Sequence, residues 1–219
     1  MLSEINKNKR INFAKNYFEN PPEFWNRVIW SDEMTVRSNP NSKEIFLKVH
    51  NSVKRKNLPF NTKTQSQGIS VMFWGCFSQQ GLSKLVVVDG TLRSDNYNKL
   101  LEDHLLPELT KINCQMVFMQ DNAPCHKART VLQFFADHDI TTMDWPAQLP
   151  DLNPIENLWS IIKQRRAKKY GMPTTKNELI EQIFEIWENI DAELKKKLAE
   201  SVPKRLIKII ENNGKQLDY

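Results

Sequence analysis

Three carboxylates stand where a chain could use them for chemistry: Asp32, Asp121 and Glu156. Asp32 lies at the end of the apolar run from Val28 to Trp30, Asp121 at the end of the run from Met116 to Met119, and Glu156 just after Asn153-Pro154, in the first turn of a predicted helix. In an open α/β sheet, groups at the carboxyl ends of parallel strands collect on one edge, and a helix leaving that edge can add a third. Converging carboxylates repel one another, so such a cluster needs a cation or retained protons. Hard oxygen ligands without nearby Cys or paired His favour magnesium, or manganese in its place, over zinc. Two such ions about 3.5 to 4 Å apart suit in-line displacement at phosphorus, so the chemistry would be phosphodiester cleavage or transfer. Ordinary roles fit the same positions. Asp caps turns, Glu complements a helix dipole, and 26 acidic residues are available for such places. Position alone leaves both readings open.

The elements that must position these groups follow from periodicity. Residues 1–26 mix basic and aromatic positions and end at Pro21-Pro22, which predicts a short helix and a stop. RVIWSDE (27–33) predicts a strand buried on both faces, with Asp32 at its end, and MTVRSNPNSKEIFLKV predicts a hairpin around Asn39-Pro40-Asn41. Residues 50–67 are polar, contain Lys54-Arg55-Lys56, and predict an exposed loop. GISVMFWGCFS (68–78) and LSKLVVVDG (82–90) predict an antiparallel pair. Residues 93–112 predict a helix capped by Ser94 and kinked by Pro107. Strand 115–121, helix 125–138 and strand 140–146 then alternate as a parallel β-α-β section would. Ile155, Leu158, Trp159 and Ile162 mark the buried face of the next helix, and the chain is helical from Pro173 onward. This order of elements is that of a ribonuclease-H-like fold: an α/β mixed sheet flanked by helices, with a helical C-terminal part.

Composition sets limits on function. Lys plus Arg number 31 against 26 Asp plus Glu, a net charge of +5, too small to imply nucleic-acid binding by itself, so the distribution of the basic residues decides. Hydrophobic residues at 40% supply a core. No apolar run is long enough to span a bilayer and the basic start lacks a secretory apolar segment, which leads us to expect a soluble intracellular protein with no membrane partner. Cys76, Cys114 and Cys125 form no C-x-x-C pair, fit a reducing compartment, and are expected to be small buried side chains.

Four strings, VIWSDE (28–33), VMFWGCFS (71–78), QDNAPCHKA (120–128) and WPAQLPDLNPIENLW (145–159), together resemble the catalytic domain of mariner-superfamily DNA transposases. Their order and spacing agree too, with 88 residues between Asp32 and Asp121 and 34 between Asp121 and Glu156, as in the branch whose third carboxylate is Glu. The resemblance implies a fold shared with retroviral integrases, two magnesium ions (manganese as substitute) held by Asp32, Asp121 and Glu156, and cut-and-paste transposition. Cleavage at transposon ends would be followed by strand transfer into a TA target in double-stranded DNA, within a homodimer and, in a eukaryote, in the nucleus. The implied organisation is a helical remnant at 1–26, a catalytic core at 27–170 whose 50–67 loop acts as a clamp, and C-terminal helices at 171–219.

His126, five positions after Asp121, could lie one helical turn from the metals and touch a phosphate or an attacking water, or be structural. Asn122 and Asn157 adjoin ligands and could orient them or make turn bonds. Glu33 should point to the other face of its strand, outside the site. Trp30 and Trp159 are expected in the core. Lys163, Arg165, Arg166, Lys168 and Lys169 crowd one helix end and, with Lys54, Arg55 and Lys56, are the candidate DNA contacts. Members of the resembled family carry N-terminal helix-turn-helix modules that recognise transposon ends. This chain begins too close to Asp32 to hold them, so a catalytic fragment or truncated copy is expected. A non-enzymatic domesticated DNA-binding or dimerisation module and a nuclease of the same fold acting on RNA hybrids are the competing functions. Retention of all three carboxylates argues against the first.

Overall fold

The computed structural model describes residues 2–38, 68–110, 115–146 and 149–217. Helices α1 (Glu4–Tyr17) and α2 (Pro22–Asn26) lead into strand β1 (Val28–Arg37), followed by β2 (Ser70–Phe77) and β3 (Val86–Val88). Helix α3 (Ser94–Leu100), a π-helical turn (Leu101–Leu105) and α4 (Leu106–Thr110) carry the chain across to β4 (Val117–Met119). Then come α5 (Arg129–Asp137), β5 (Thr141–Thr142), α6 (Pro154–Lys169), α7 (Lys176–Glu188) and α8 (Ala192–Glu211). The sheet order is β3-β2-β1-β4-β5. Its first three strands are antiparallel, and β1, β4 and β5 run parallel, so the sheet is mixed as expected.

Alternation along β1 sorts its side chains into two cores, because successive strand residues face opposite sides. Val28, Trp30, Met34 and Val36 join the core under α6, α7 and α8, where Leu158, Trp159, Ile183 and Val202 are buried. Ile29 joins the core on the other face, with Trp74, Tyr97, Phe118 and Val131. Arg10 of α1 is fully buried and clamps two distant segments. It makes a two-oxygen pair with Asp151, at 2.7 Å to Oδ1 and 2.5 Å to Oδ2, and its Nε donates to the Gly214 carbonyl at 2.9 Å.

Several expectations are corrected. Asp32 is not at a strand end: β1 runs on to Arg37 because β2 pairs with it from Trp30↔Phe77 through to Arg37↔Ser70. Parallel pairing with β4 stops at Trp30↔Met119, so the chain parts on one side of β1 just before Asp32. Ser94 is the first residue of α3 and not its cap, since Arg93 occupies that place with no side-chain bond. The helix takes a π-helical turn ahead of Pro107 instead of a simple kink. Helix α5 starts at Arg129 and not at Cys125, which leaves His126 in a turn. Cys76 is buried as expected, whereas Cys125 is partly exposed. The hairpin around Asn39-Pro40-Asn41, the 50–67 loop with Lys54, Arg55 and Lys56, and Cys114 lie outside the described residues.

Candidate metal centre and active site

Strand register brings the first two carboxylates together. Trp30 pairs with Met119 across the parallel strands, and Asp32 and Asp121 each lie two residues farther along their chains. Two residues is one full strand period, so both carboxylates fall on the face that Trp30 and Met119 share in the core. Because β4 ends at Met119, that face opens there into a cleft instead of continuing as packed core. Glu156 arrives from α6. Asn153 caps that helix by accepting from the Ile155 amide at 3.3 Å, Pro154 occupies its first turn, and Glu156 follows. All three carboxylates line one cleft of about 360 Å³, walled by Met119, Trp145, Leu149 and Pro150.

The electrostatics fit this crowding. Burial first, then the charges of Glu156, Glu33 and Asp121, push the Asp32 carboxyl up to about 8. Burial also raises Glu156, while hydrogen bonding with Asp32 and the positive charge of Lys163 work the other way. Neither Asp32 nor Glu156 has a cationic side chain in ion-pair contact among the described residues. Asp121 goes in the other direction: its bond to His126 is the main cause and, despite partial burial, holds its carboxyl below the usual range.

His126 differs most from expectation. It is 2% exposed, does not line the cleft, and has both ring nitrogens committed, so it cannot touch a phosphate or an attacking water there. Its Nδ1 lies 2.7 Å from Asp121 Oδ1, and its Nε2 lies 3.4 Å from Glu33 Oε1. The second contact is an ion pair and not a hydrogen bond. Burial, the largest effect, opposes the imidazolium, but the two carboxylates together outweigh it and raise the ring to about 10. Asp121 Oδ1 also accepts the Ala123 amide at 2.8 Å, and no hydrogen bond engages its Oδ2 among the described residues. Glu33 does face away from Asp32, as alternation requires, yet it joins the site through His126. Strand periodicity carries no signal for that contact. Asn153 was missed as well, although Asn directly before Pro and three residues before Glu is a readable helix start. Asn122 donates its side-chain amide to the Trp145 carbonyl, a loop-fastening role.

The donor set suits a hard divalent cation: three carboxylates share a cleft, and burial together with mutual repulsion makes two of them, Asp32 and Glu156, resist ionisation. In these rotamers, no three His, Cys, Asp or Glu side chains among the described residues stand close enough to enclose an ion. Asp121 Oδ1 is held toward His126 and the Ala123 amide, which leaves Oδ2 as the oxygen free of hydrogen bonds among the described residues.

The five cations at the end of α6 divide into three kinds. Lys163 and Lys168 are exposed, with no ion-pair partner among the described residues. Arg165 lies 3.8 Å from Asp191, and Lys169 contacts Glu185, both as surface pairs that contribute little. Arg166 does not meet the expectation of a DNA contact. It is 8% exposed, and its guanidinium donates to Gln182 Oε1 at 3.0 Å and to the Gly171 carbonyl at 2.9 Å, so it fastens α6 to α7.

Comparison with known proteins adds to this geometry. The profile of the family described as DDE superfamily endonuclease matches residues 27–180. The Tc3 transposase of Caenorhabditis elegans is 32% identical over all of this chain, and the Tcb1 transposase of Caenorhabditis briggsae is 29% identical. The chain spans 65% of the length of the first and 80% of the second. Among solved structures, the Mos1 transposase catalytic domain with Raltegravir and Mg superposes with a TM-score of 0.76 at 18% identity, each chain covered in full. The Mos1 paired-end complex with the left transposon end gives 0.81 at 19% identity, covering all of this chain and 65% of that one. At such identities the likeness is one of fold, and the fold is ribonuclease-H-like.

Proposed function

Because the chain belongs to the DDE superfamily endonuclease family, we propose that it is the catalytic region of a cut-and-paste DNA transposase of the Tc1/mariner kind. The observation that carries this reading is the meeting of Asp32, Asp121 and Glu156 on one cleft by strand register and helix capping. Asp32, Asp121 and Glu156 would hold magnesium, or manganese in its place. Bound there, the cations supply charge neutralisation at the phosphorus under attack. On loading, Asp32 would give up the proton it retains, Asp121 would offer Oδ2, and Lys163 and Lys168 would meet the DNA backbone. Arg165 and Lys169 can exchange their weak surface pairs for phosphate.

The same site serves hydrolysis at the transposon end and attack of the freed 3′-hydroxyl on a TA target. The likeness to Mos1 transposase in a paired-end complex with the left transposon end and in a strand transfer complex supports DNA as the partner. We assign the work to the nucleus, since the sequence relatives are eukaryotic transposases, and to a homodimer on the resemblance to the mariner superfamily. The catalytic core is placed at 27–170, flanked by a linker helix at 1–26 and C-terminal helices at 171–219. Choice of transposon ends falls to helix-turn-helix modules outside this core.

Two assays test the reading: calorimetric titration with Mn²⁺, and nicking of supercoiled plasmid, each on the wild type and Asp121→Ala. We expect the variant to fold, to bind Mn²⁺ more weakly and to lose nicking. Equal binding and equal nicking in both proteins would overturn it.

A further inference from the structure

The strand residue that follows Asp32 points to the opposite face of the sheet, and it is a second carboxylate in contact with the site. We propose that Glu33 is a positioning residue: it holds the His126 ring so that His126 occupies Asp121 Oδ1 and leaves Oδ2 for the cleft. This inference rests on the proposed metal-dependent function.

The geometry fixes the ring at both ends and on its face. Nδ1 meets Asp121 Oδ1 at 2.7 Å, and Nε2 meets Glu33 Oε1 at 3.4 Å. Tyr97 lies against the ring with centroids 4.2 Å apart, and its hydroxyl donates to Gln120 Oε1 at 2.7 Å. Gln120 Nε2 in turn donates to the His126 carbonyl at 3.3 Å, and the His126 amide donates to the Ala123 carbonyl at 2.9 Å. Ring, backbone turn and neighbouring side chains therefore form one closed network.

The two anchored carboxylates differ in their support. Glu33 stands in the middle of a ten-residue strand paired on one side along most of its length, whereas Asp121 lies in the loop beyond a three-residue strand. A loop carboxylate gains a defined orientation when a second residue ties it to a rigid element. Burying His126 against Glu33 is costly, and an apolar pair of similar size would pack there at lower cost. Glu33 Oε1 and His126 Nε2 are both out of contact with solvent and neither makes a hydrogen bond, so the 3.4 Å charge contact is what meets the ring at that end, and removing the carboxylate takes away its far anchor. Groups that orient metal-binding side chains in this way commonly change metal affinity or activity by about 10- to 100-fold when removed.

The test uses the whole chain with Glu33→Leu and Glu33→Gln, Mn²⁺ affinity by calorimetry, and nicking kinetics. Glu33→Leu should weaken Mn²⁺ binding and lower kcat by about 10- to 100-fold, with KM for DNA unchanged. Glu33→Gln keeps an oxygen that can accept from Nε2 and should recover most of that loss. If Glu33→Leu does not melt cooperatively, Glu33→Ala, which admits water, replaces it with the same expectation. Wild-type Mn²⁺ affinity in the folded Leu or Ala variant overturns the inference, and so does an equal loss in Glu33→Gln. Asp121→Ala separates the two levels. If it differs from the wild type while the Glu33 variants do not, the positioning role alone fails; if it does not differ, the metal-dependent reading fails first.

Discussion

Asn153 donates its side-chain amide to the backbone carbonyl of Ser31 at 3.3 Å while its own oxygen caps α6. One buried side chain therefore ties the helix that carries Glu156 to the strand that carries Asp32, one residue before that carboxylate. Ser31 is fastened in its turn, its hydroxyl donating to the Met119 carbonyl at 2.7 Å, two residues before Asp121. The three carboxylates are thus joined through Ser31 and Asn153 without a direct covalent or ionic link.

Asn153→Asp and Asn153→Ala should separate capping from this tie. Both lose the donor to Ser31, but Asp still caps α6, whereas Ala forfeits about 0.5 to 2 kcal/mol of cap stability. Thermal melting should rank the wild type above Asn153→Asp above Asn153→Ala, while nicking should fall in both. Full activity in Asn153→Asp would show that the tie to Ser31 does not position the site.

Gly75, which pairs with Asp32 across β1 and β2, lies against Trp159 of α6 and Trp187 of α7. A Cβ there would sit 2.9 Å from Trp187 Cη2 and 3.1 Å from Trp159 Cη2, two rings that stack at 5.2 Å. Gly75→Ala should cost about 1 to 3 kcal/mol by overpacking, partly offset by the roughly 0.5 to 1 kcal/mol that Ala gains over Gly in a strand. Trp159 lies one turn from Glu156, so activity should fall as well. Gly81→Ala, with open space around the added carbon, is the control and should melt like the wild type.

Stability of the metal-free protein should fall as pH rises from about 6.5 to 8. Asp32 keeps its proton to about 8 when folded, against an ordinary value of 3.8, so across that interval the native state binds the extra proton and rising pH favours unfolding. His126 has the same sign from 6.5 up to about 10. Asp121, lowered in the fold, adds stability above 3.8 that is lost as pH falls through its depressed value, so it acts only in acid. Mn²⁺ binds the ionised carboxylates and should raise the melting temperature more at pH 8 than at pH 6.5. A metal-induced shift that is equal at both pH values would contradict the assignment to Asp32.

DNA affinity should respond to the exposed cations of α6 and not to its buried one. Lys163→Ala and Lys168→Ala should each reduce the slope of log affinity against log salt by about 1 without lowering the melting temperature. Arg166→Met should do the reverse, costing about 1 to 3 kcal/mol because the Gln182 oxygen loses its partner. Fluorescence anisotropy over a salt series, together with melting curves, checks both.

Much of the architecture could be read from local pattern. The apolar run Val28 to Trp30, the strings around β2 and β4, and the 3.6-residue stripe of Ile155, Leu158, Trp159 and Ile162 specify their elements because burial demands that spacing. Position just past apolar runs and at a helix start only nominated Asp32, Asp121 and Glu156, because capping fits the same places; the four resembling motifs and their spacing singled them out. What tertiary structure alone decided depends on contacts between residues far apart in the chain. Pairing with β2 made Asp32 a mid-strand residue, and the early end of β4 opened the cleft beside it. The place of His126 depended on a turn that delays α5 to Arg129, and that turn carries the ring between Asp121 and Glu33. Basic residues in one cluster read alike in sequence, yet Arg166 is buried and Lys163 exposed because α7 covers only one side of α6. Periodicity says which face of an element is apolar. Which partner covers that face, and so which charged groups meet across it, is set only when the elements pack.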